Sequence, residues 1–187
     1  NFEKQITEKQ NHPINRKVLV EVLKQQNTDL NLSNKSERNI NDLLNKDAFT
    51  VTTGHQLCLF TGPLYFLYKI ISTLNLAEQL QENFPENNFI PVFWMATEDH
   101  DFQEINHIHL FGKEIEWDNL KSGAVGKMNL SEFESVLNEL KLVLGESENT
   151  ETLLNLFENA YLKHQNLAQA TRYLVNELFG KYGLVIL

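Results

Sequence analysis

The sequence predicts an α/β fold built around a parallel β-sheet. The first indication is a β-branched and aromatic stretch, Phe49–Thr53, that stops at Gly54 as a strand entering a tight turn does. The second is a continuous apolar run, Phe89–Ala96, which is typical of a strand covered on both faces. Between them, after Pro63, apolar residues recur at helical spacing: Leu64, Leu67, Ile71, Leu74, Ala77 and Leu80. Two strands joined by such a helix form a βαβ unit with parallel strands.

The segment before this unit, residues 1–48, is predicted to be a helical leader packed on the outside of the core. Its apolar residues space like two helix faces, one made of Val18, Val22 and Leu23 and the other of Ile40, Leu43 and Leu44. Residues 49–118 form the first βαβ part of the core.

The segments after the βαβ unit also have recognisable patterns. Ile105–Trp117 alternates like one or two strands that turn at Gly112, and helical spacing returns from Ser131 onward. We therefore expect a helical insertion over residues 119–182. Residues 183–187 read as the start of a third parallel strand, so we expect the chain to be a fragment of a longer protein.

Composition excludes several classes of function. The 187 residues include 16 Lys plus Arg and 25 Asp plus Glu, which gives a net charge of −9. A charge of this sign does not favour binding to the phosphates of nucleic acids. No apolar run approaches the roughly 20 residues of a membrane helix. The single cysteine, Cys58, excludes an internal disulfide framework and a multi-cysteine zinc module. We expect a cytoplasmic protein with neither nucleic acid nor membrane as partner.

A first group of candidate site residues surrounds the start of the predicted helix. Backbone N–H groups in a first helical turn have no intrahelical partner and, with the helix dipole, attract a phosphate or carboxylate. Glycines let such a ligand approach, and Lys69 in the second turn leans toward the same end. A helix cap, a surface lysine and a loop histidine are the alternative interpretation. The group consists of Thr53, Gly54, His55, Gln56, Thr61, Gly62, Pro63, Leu64, Tyr65 and Lys69.

A second group follows the apolar strand directly: Glu98, Asp99, His100 and Asp101, with Glu104, Asn106 and His107 beyond. Neighbouring carboxylates and imidazoles tune one another's pKa, which is how general acids and bases are made. His100, between two aspartates, is the best candidate for a base or proton shuttle. The alternative is structural, with Asp101 capping a helical turn that Glu104 closes.

Two further interpretations have less support. His107 and His109 share a strand face and could join His100 and Asp99 or Asp101 around a metal ion, but the spacing matches no standard zinc motif and no metal is predicted. Cys58, with His55 as activator, could be a nucleophile, although an apolar setting favours a packed side chain. Trp94 and Trp117 are expected in the core.

The motifs of both groups together resemble those of the cysteine-adding enzymes of bacillithiol biosynthesis, the BshC family. The matching stretches are Gly54-His55-Gln56, Phe60–Tyr65 with Lys69, Pro91–Trp94, Glu98–Phe102 and Glu104–His107. The match is most specific from about Phe49 to Leu110.

The resemblance implies a Rossmann-like core related to nucleotidylyltransferases and class I aminoacyl-tRNA synthetases. It also implies a longer protein with a coiled coil that supports a homodimer. The implied reaction joins cysteine to glucosaminyl-malate through an amide bond, the last step of bacillithiol synthesis. ATP or ADP is the candidate cosubstrate, although the loop carries Thr61-Gly62-Pro63-Leu64 where related nucleotidyl-transferring folds have a His-x-Gly-His pair.

These implications assign roles to the candidate residues. Catalysis falls to His100 with Asp99 and Asp101, and substrate or nucleotide binding to the other members of the two groups except Thr53 and Pro63. A metal-dependent hydrolase or deacetylase of an amino sugar, using His100, His107 and the acids, is the alternative enzyme. A non-catalytic ligand-binding module is the second alternative, and we expect the fragment to be inactive alone.

Overall fold

The computed structural model describes residues 2–118 and 122–187, which separate into two compact units. The first unit comprises the chain up to Gly54, Lys69–Trp94 and Asn176–Leu187, and the second comprises His55–Tyr68 and Met95–Val175. Eight α-helices occur in the described residues: α1 Phe2–Gln10, α2 Arg16–Gln26, α3 Asn34–Asp42, α4 Leu64–Asn83, α5 Phe102–Ile105, α6 Glu134–Leu144, α7 Glu148–Tyr161 and α8 Leu167–Phe179. Five strands accompany them: β1 Ala48–His55, β2 Asn88–Met95, β3 His107–Leu110, β4 Lys113–Glu116 and β5 Val185–Ile186.

A three-stranded parallel sheet with the order β1-β2-β5 forms the centre of the first unit. Val92 pairs with Val185 and Phe93 with Ile186. The predicted α/β fold with a parallel sheet is therefore confirmed, and the C-terminal residues do form its third strand. Pro91, which has no N–H to donate, lies one residue before the first of these registered pairs.

Helices cover the sheet on both faces. Ile90 and Val92 alternate with Phe89 along β2, so they face the opposite side of the sheet. The face that carries Ile90 and Val92 packs against four residues of α2 and the α3 region: Val20, Leu23, Ile40 and Leu43. Phe89, on the other side, packs against Ala77 and Leu80 of α4. The N-terminal helices thus supply core residues and are more than an outer covering.

The predicted helix faces are partly wrong. In α2 the buried residues are Val20 and Leu23, whereas Val18 is 50% exposed. Val22 and Leu44, also expected to face inward, are exposed. The helix predicted after Pro63 is present as α4.

The buried face of α4 differs from the predicted one in the first half of the helix. Leu64 and Ile71 are exposed, and Phe66, Ile70 and Thr73 are buried in their place. From Ala77 onward the predicted and observed faces agree.

Side chains of the N-terminal helices hold the chain that leads into β5. The hydroxyl of Ser36 lies 2.9 Å from the carbonyl oxygen of Gly180 and 3.0 Å from that of Leu184. Asn39 donates to the carbonyl of Gly183 at 2.6 Å. These bonds satisfy carbonyls next to a strand of only two residues, which gives β5 a fixed entry point.

The second unit contains an antiparallel hairpin and an aromatic core. β3 and β4 pair from His107–Glu116 to Leu110–Lys113, with Phe111 and Gly112 in left-handed conformation at the turn. One or two strands turning at Gly112 were predicted, and the structure has two. Trp117 is buried as expected, but Trp94, in the first unit, is 47% exposed, so its predicted place in the core is wrong.

The predicted insertion at residues 119–182 begins with residues 119–121, which lie outside the described residues. From residue 122 onward it contains α6, α7 and α8. The predicted domain boundaries stay a prediction. No helix in residues 2–118 and 122–187 is long and apolar enough to cross a bilayer.

Candidate functional site

The two groups of candidate residues start side by side at the ends of β1 and β2. The N–H of Ala96, just past β2, donates to the carbonyl of His55, the last residue of β1, at 3.1 Å. The loops that follow the two strands therefore leave one edge of the sheet together. Open parallel sheets bind ligands at this edge.

Gln56 connects the two groups. Its amide Nε2 donates to the Glu104 carboxylate at 2.9 Å, across 48 residues of sequence, and also hydrogen-bonds the Asp99 side chain. A residue of the loop after β1 thus contacts two acids of the segment after β2. We call this arrangement of Gln56, Asp99 and Glu104, with His100 beside it, the acid crevice.

Asp99 is held as an ionised acceptor. Its Oδ1 accepts the backbone N–H of His100 at 2.6 Å and that of Asp101 at 3.1 Å. The pKa of Asp99 is lowered from its ordinary value of 3.8, first by the Asp101 N–H and then by the Gln56 amide, with smaller contributions from the N–H and charge of His100. Because its charged form is favoured, Asp99 is unsuited to donate a proton near neutral pH.

His100 and Asp101 project into solvent. Both are exposed, and within the described residues the His100 imidazole makes no hydrogen bond. Asp101 precedes α5 as its N-cap, yet its side chain forms no capping bond. Since Glu104 points to Gln56, the capping box offered as the structural alternative is not formed.

The loop before α4 has strained backbone. Phe60, Thr61 and Gly62 have φ values of 50°, 71° and 52°, a region that residues other than glycine rarely occupy. The N–H of Phe60 donates to the buried Tyr161 hydroxyl at 2.8 Å. The Phe60 ring packs edge-on against Phe157, at a centroid distance of 4.9 Å. The helices of the predicted insertion therefore hold this loop in place.

Gly62 must be glycine because Cys58 lies against it. A Cβ at Gly62 would stand 2.2 Å from the Cys58 Cβ. Cys58 is buried, and its pKa is raised to about 11, first by loss of hydration and then by the charges of Asp99 and Glu104. Its Sγ lies 3.8 Å from His55 Nδ1. A thiol this weakly acidic does not suit a nucleophile, so the structure favours the packed interpretation of Cys58.

His55 packs against the start of α4. Its ring contacts Tyr65 and Phe66 in α4, at centroid distances of 5.9 and 5.3 Å. Leu64 and Tyr65 are themselves exposed at the start of the helix. The first turn of α4 is thus open to a ligand.

Two candidate residues of the first unit, Gly54 and Lys69, form a separate contact. Lys69 Nζ donates to the carbonyl of Gly54. A Cβ at Gly54 would meet the Trp94 ring at 2.8 Å, so a side chain there would displace the indole. Lys69 therefore fixes the end of β1, and Trp94 adds a half-exposed aromatic surface that the sequence analysis missed. Its position next to the last residue of a buried strand was the available signal.

Asn106 and His107 lie in the hairpin, and Glu98 is an exposed loop residue. The buried Asn106 amide donates to the Glu116 carboxylate at 3.0 Å and to the Trp117 carbonyl at 3.3 Å. Its contacts are structural.

Among the described residues, three potential metal ligands come within 4.8 Å of one another at His107, His109 and Glu114. His100 is not a member, so the combination of His100 with the strand histidines, weighed above as an alternative, is not formed.

Comparison with known proteins agrees with the motif resemblance. The family model for the N-terminal Rossmann-like domain of the bacillithiol biosynthesis protein BshC matches residues 1–187. Proteins from Flavobacterium psychrophilum and Flavobacterium johnsoniae, both named "Putative cysteine ligase BshC", are 53% and 52% identical over the whole chain. A protein of the same name from Christiangramia forsetii is 52% identical.

The chain spans about a third of the length of these curated relatives, 36% in each of the three. The family match confirms the Rossmann-like fold that the resemblance implied.

Proposed function

The chain belongs to the BshC family of bacillithiol biosynthesis proteins, and we propose that it acts as the N-terminal part of a ligase that adds L-cysteine to glucosaminyl-malate. The names of the relatives support a cysteine ligase. The amino-sugar acceptor and the place of the reaction as the last step of the pathway belong to the proposal.

The reaction requires the site to stabilise a negatively charged group and to accept a proton. The carboxyl carbon of an activated cysteine bonds to the amine nitrogen of the sugar, and the activating group leaves with its electron pair. The attacking amine must lose a proton during this step. A ligase therefore needs a site for an anionic acyl donor next to a proton acceptor.

The observation that carries the proposal is the Gln56 contact with Asp99 and Glu104. It connects the loop before α4 with the segment after β2, and we take the acid crevice as the site of the reaction. In this arrangement the exposed His100 imidazole accepts the amine proton, and the ionised Asp99 next to it stabilises the resulting positive charge. Asp101 and Glu98 contact the amine or hydroxyl groups of the sugar.

The open first turn of α4 is the proposed anion site. The positive end of the helix dipole, near Gly62, Leu64 and Tyr65, suits a phosphate or carboxylate. These residues, with Thr61, His55 and Gln56, would hold the phosphates of ATP or ADP if a nucleotide activates cysteine. Lys69 and Gly54 keep the end of β1 in position.

The proposal extends to the setting of the longer protein. A reducing cytoplasm suits a thiol product and the single cysteine of this chain. We place the enzyme there as a homodimer assembled through a coiled coil outside this segment, with this chain inactive on its own.

Replacing His100 tests the proposal. The longer protein carrying His100→Ala, and a matched His12→Ala control, are incubated with cysteine and glucosaminyl-malate, with and without ATP. Mass spectrometry reads the condensed product. We expect loss of at least about a hundredfold in turnover for His100→Ala, in the range of general base catalysis, and none for His12→Ala. Equal turnover in the two variants would remove His100 from the mechanism.

A further inference from the structure

The hairpin of the second unit carries an arrangement of side chains that the proposed reaction does not use. His107 and His109 are two residues apart on β3, so both point to the same face. Glu114 lies directly opposite His109 in the register of β3 and β4. The three side chains each offer one ligand atom, and these atoms lie within 4.8 Å of one another. We propose that His107, His109 and Glu114 form a binding site for a divalent transition metal ion, with Zn²⁺ as the first candidate.

The identity of the donor atoms selects the type of metal. Two imidazole nitrogens and one carboxylate oxygen suit Zn²⁺ and its transition-metal neighbours, whereas Mg²⁺ and Ca²⁺ require oxygen ligands. Zinc binds nitrogen at about 2.0–2.1 Å, which places tetrahedral ligand atoms roughly 3.3 Å apart. His109 Nε2 and Glu114 Oε2 are already 2.9 Å apart. Small rotations of exposed side chains close the remaining gap to His107.

A buried amide fixes one of the ligands. Asn106 Nδ2 donates to the Glu116 carboxylate and to the Trp117 carbonyl, which identifies its other atom, Oδ1, as the acceptor. His107 Nδ1 lies 3.1 Å from this oxygen, so the ring donates its Nδ1 hydrogen there. The lone pair of the neutral imidazole is then on Nε2. A metal-binding histidine is oriented by a partner of this kind in most metal sites.

Three protein ligands leave one tetrahedral position for water or an added anion. All the ligands come from one hairpin whose pairing extends over four residue pairs, so binding needs little ordering of the backbone. His100 of the acid crevice is not among the clustered ligands.

Isothermal titration of the 187-residue chain with Zn²⁺ tests the proposal. We expect one equivalent to bind, with excess Mg²⁺ having no effect. His109→Ala and Glu114→Gln alter exposed side chains, so the fold should survive, and each should weaken binding more than the roughly 10- to 100-fold that loss of a supporting partner causes. His12→Ala, which removes a histidine outside the hairpin, should bind as the parent does.

Co²⁺ provides a second readout that does not depend on activity. A tetrahedral nitrogen and oxygen site gives intense visible absorption, which we expect in the parent and in His12→Ala but not in His109→Ala. Failure of the parent chain to bind Zn²⁺, or unchanged binding in His109→Ala and Glu114→Gln, would overturn the assignment. Loss of binding in His100→Ala alone would instead place the ion at the acid crevice.

Discussion

Gly62→Ala should destabilise the second unit strongly. A second glycine, Gly145, provides a matched control that separates backbone strain from steric overlap. Gly62 has φ 52° and ψ −142°, and a Cβ there would lie 2.2 Å from the Cys58 Cβ. Gly145 has a similar backbone conformation, with φ 68° and ψ −161°, but no atom lies within 4 Å of its Cβ position. Gly145→Ala therefore measures backbone strain alone, and Gly62→Ala adds the steric overlap.

The expected loss in the free energy of unfolding of Gly62→Ala has two parts. An alanine in this glycine region costs about 1–3 kcal/mol, which applies to both variants. Forcing a methyl group into a filled space costs roughly another 1–3 kcal/mol at Gly62 only. The total of about 2–6 kcal/mol is a large part of the 5–15 kcal/mol that stabilises typical proteins.

Urea unfolding followed by tryptophan fluorescence measures this difference. The chain has two tryptophans, and only Trp117 lies in the second unit, where it is buried. In a Trp94→Phe background the signal therefore reports that unit. We expect the free energy of unfolding of Gly62→Ala to fall below that of Gly145→Ala by about 1–3 kcal/mol. Equal values would refute the packing of Cys58 against Gly62.

Three further predictions concern the loop before α4 and the acid crevice. Tyr161→Phe should cost about 1–3 kcal/mol in the same unfolding assay, because the buried Phe60 N–H loses its acceptor. Iodoacetamide at pH 8 should label Cys58 roughly a hundredfold more slowly in the folded than in the denatured chain, since the pKa rises from 9.0 to about 11; equal rates would show an ordinary thiol. The carboxyl carbon of Asp99 should titrate by NMR below 3.8. Because that pKa is depressed, its stabilising contribution is present above pH 3.8 and is lost as the pH falls through the lower folded value, whereas a midpoint at or above 3.8 would contradict the hydrogen bonds.

The order of strands and helices was predictable because it depends on local patterns. The β-branched residues of β1 and the uninterrupted apolar run of β2 each indicate a strand without knowledge of the partner. The helix between them was equally clear, but its buried face was not. The first half of α4 carries apolar residues on several sides, so Phe66 and Ile70 have the same spacing as Leu67 and Ile71. Spacing alone cannot decide which set is buried.

The sequence predicts where the two groups of candidate residues begin, but not the contacts between them. Both groups were expected at the carboxyl edge of the sheet, and the bond between Ala96 and His55 places their starts together. The role of Gln56 depends on a side-chain bond across 48 residues, which no local pattern encodes. The left-handed backbone conformation of Phe60 and Thr61 could not be predicted from the sequence either, because neither residue type is typical of this conformation.

Gln56 and the acids after β2 are proposed to act as one catalytic crevice. A double-mutant cycle on kcat/KM for cysteine ligation, using Gln56→Ala, Glu104→Ala and the double variant in the longer protein, measures this coupling directly. Contacting residues typically show interaction energies of about 0.5–3 kcal/mol, and we predict a value in that range. Additive effects of the two substitutions would mean that the two loops contribute to the reaction independently, which would contradict a shared crevice.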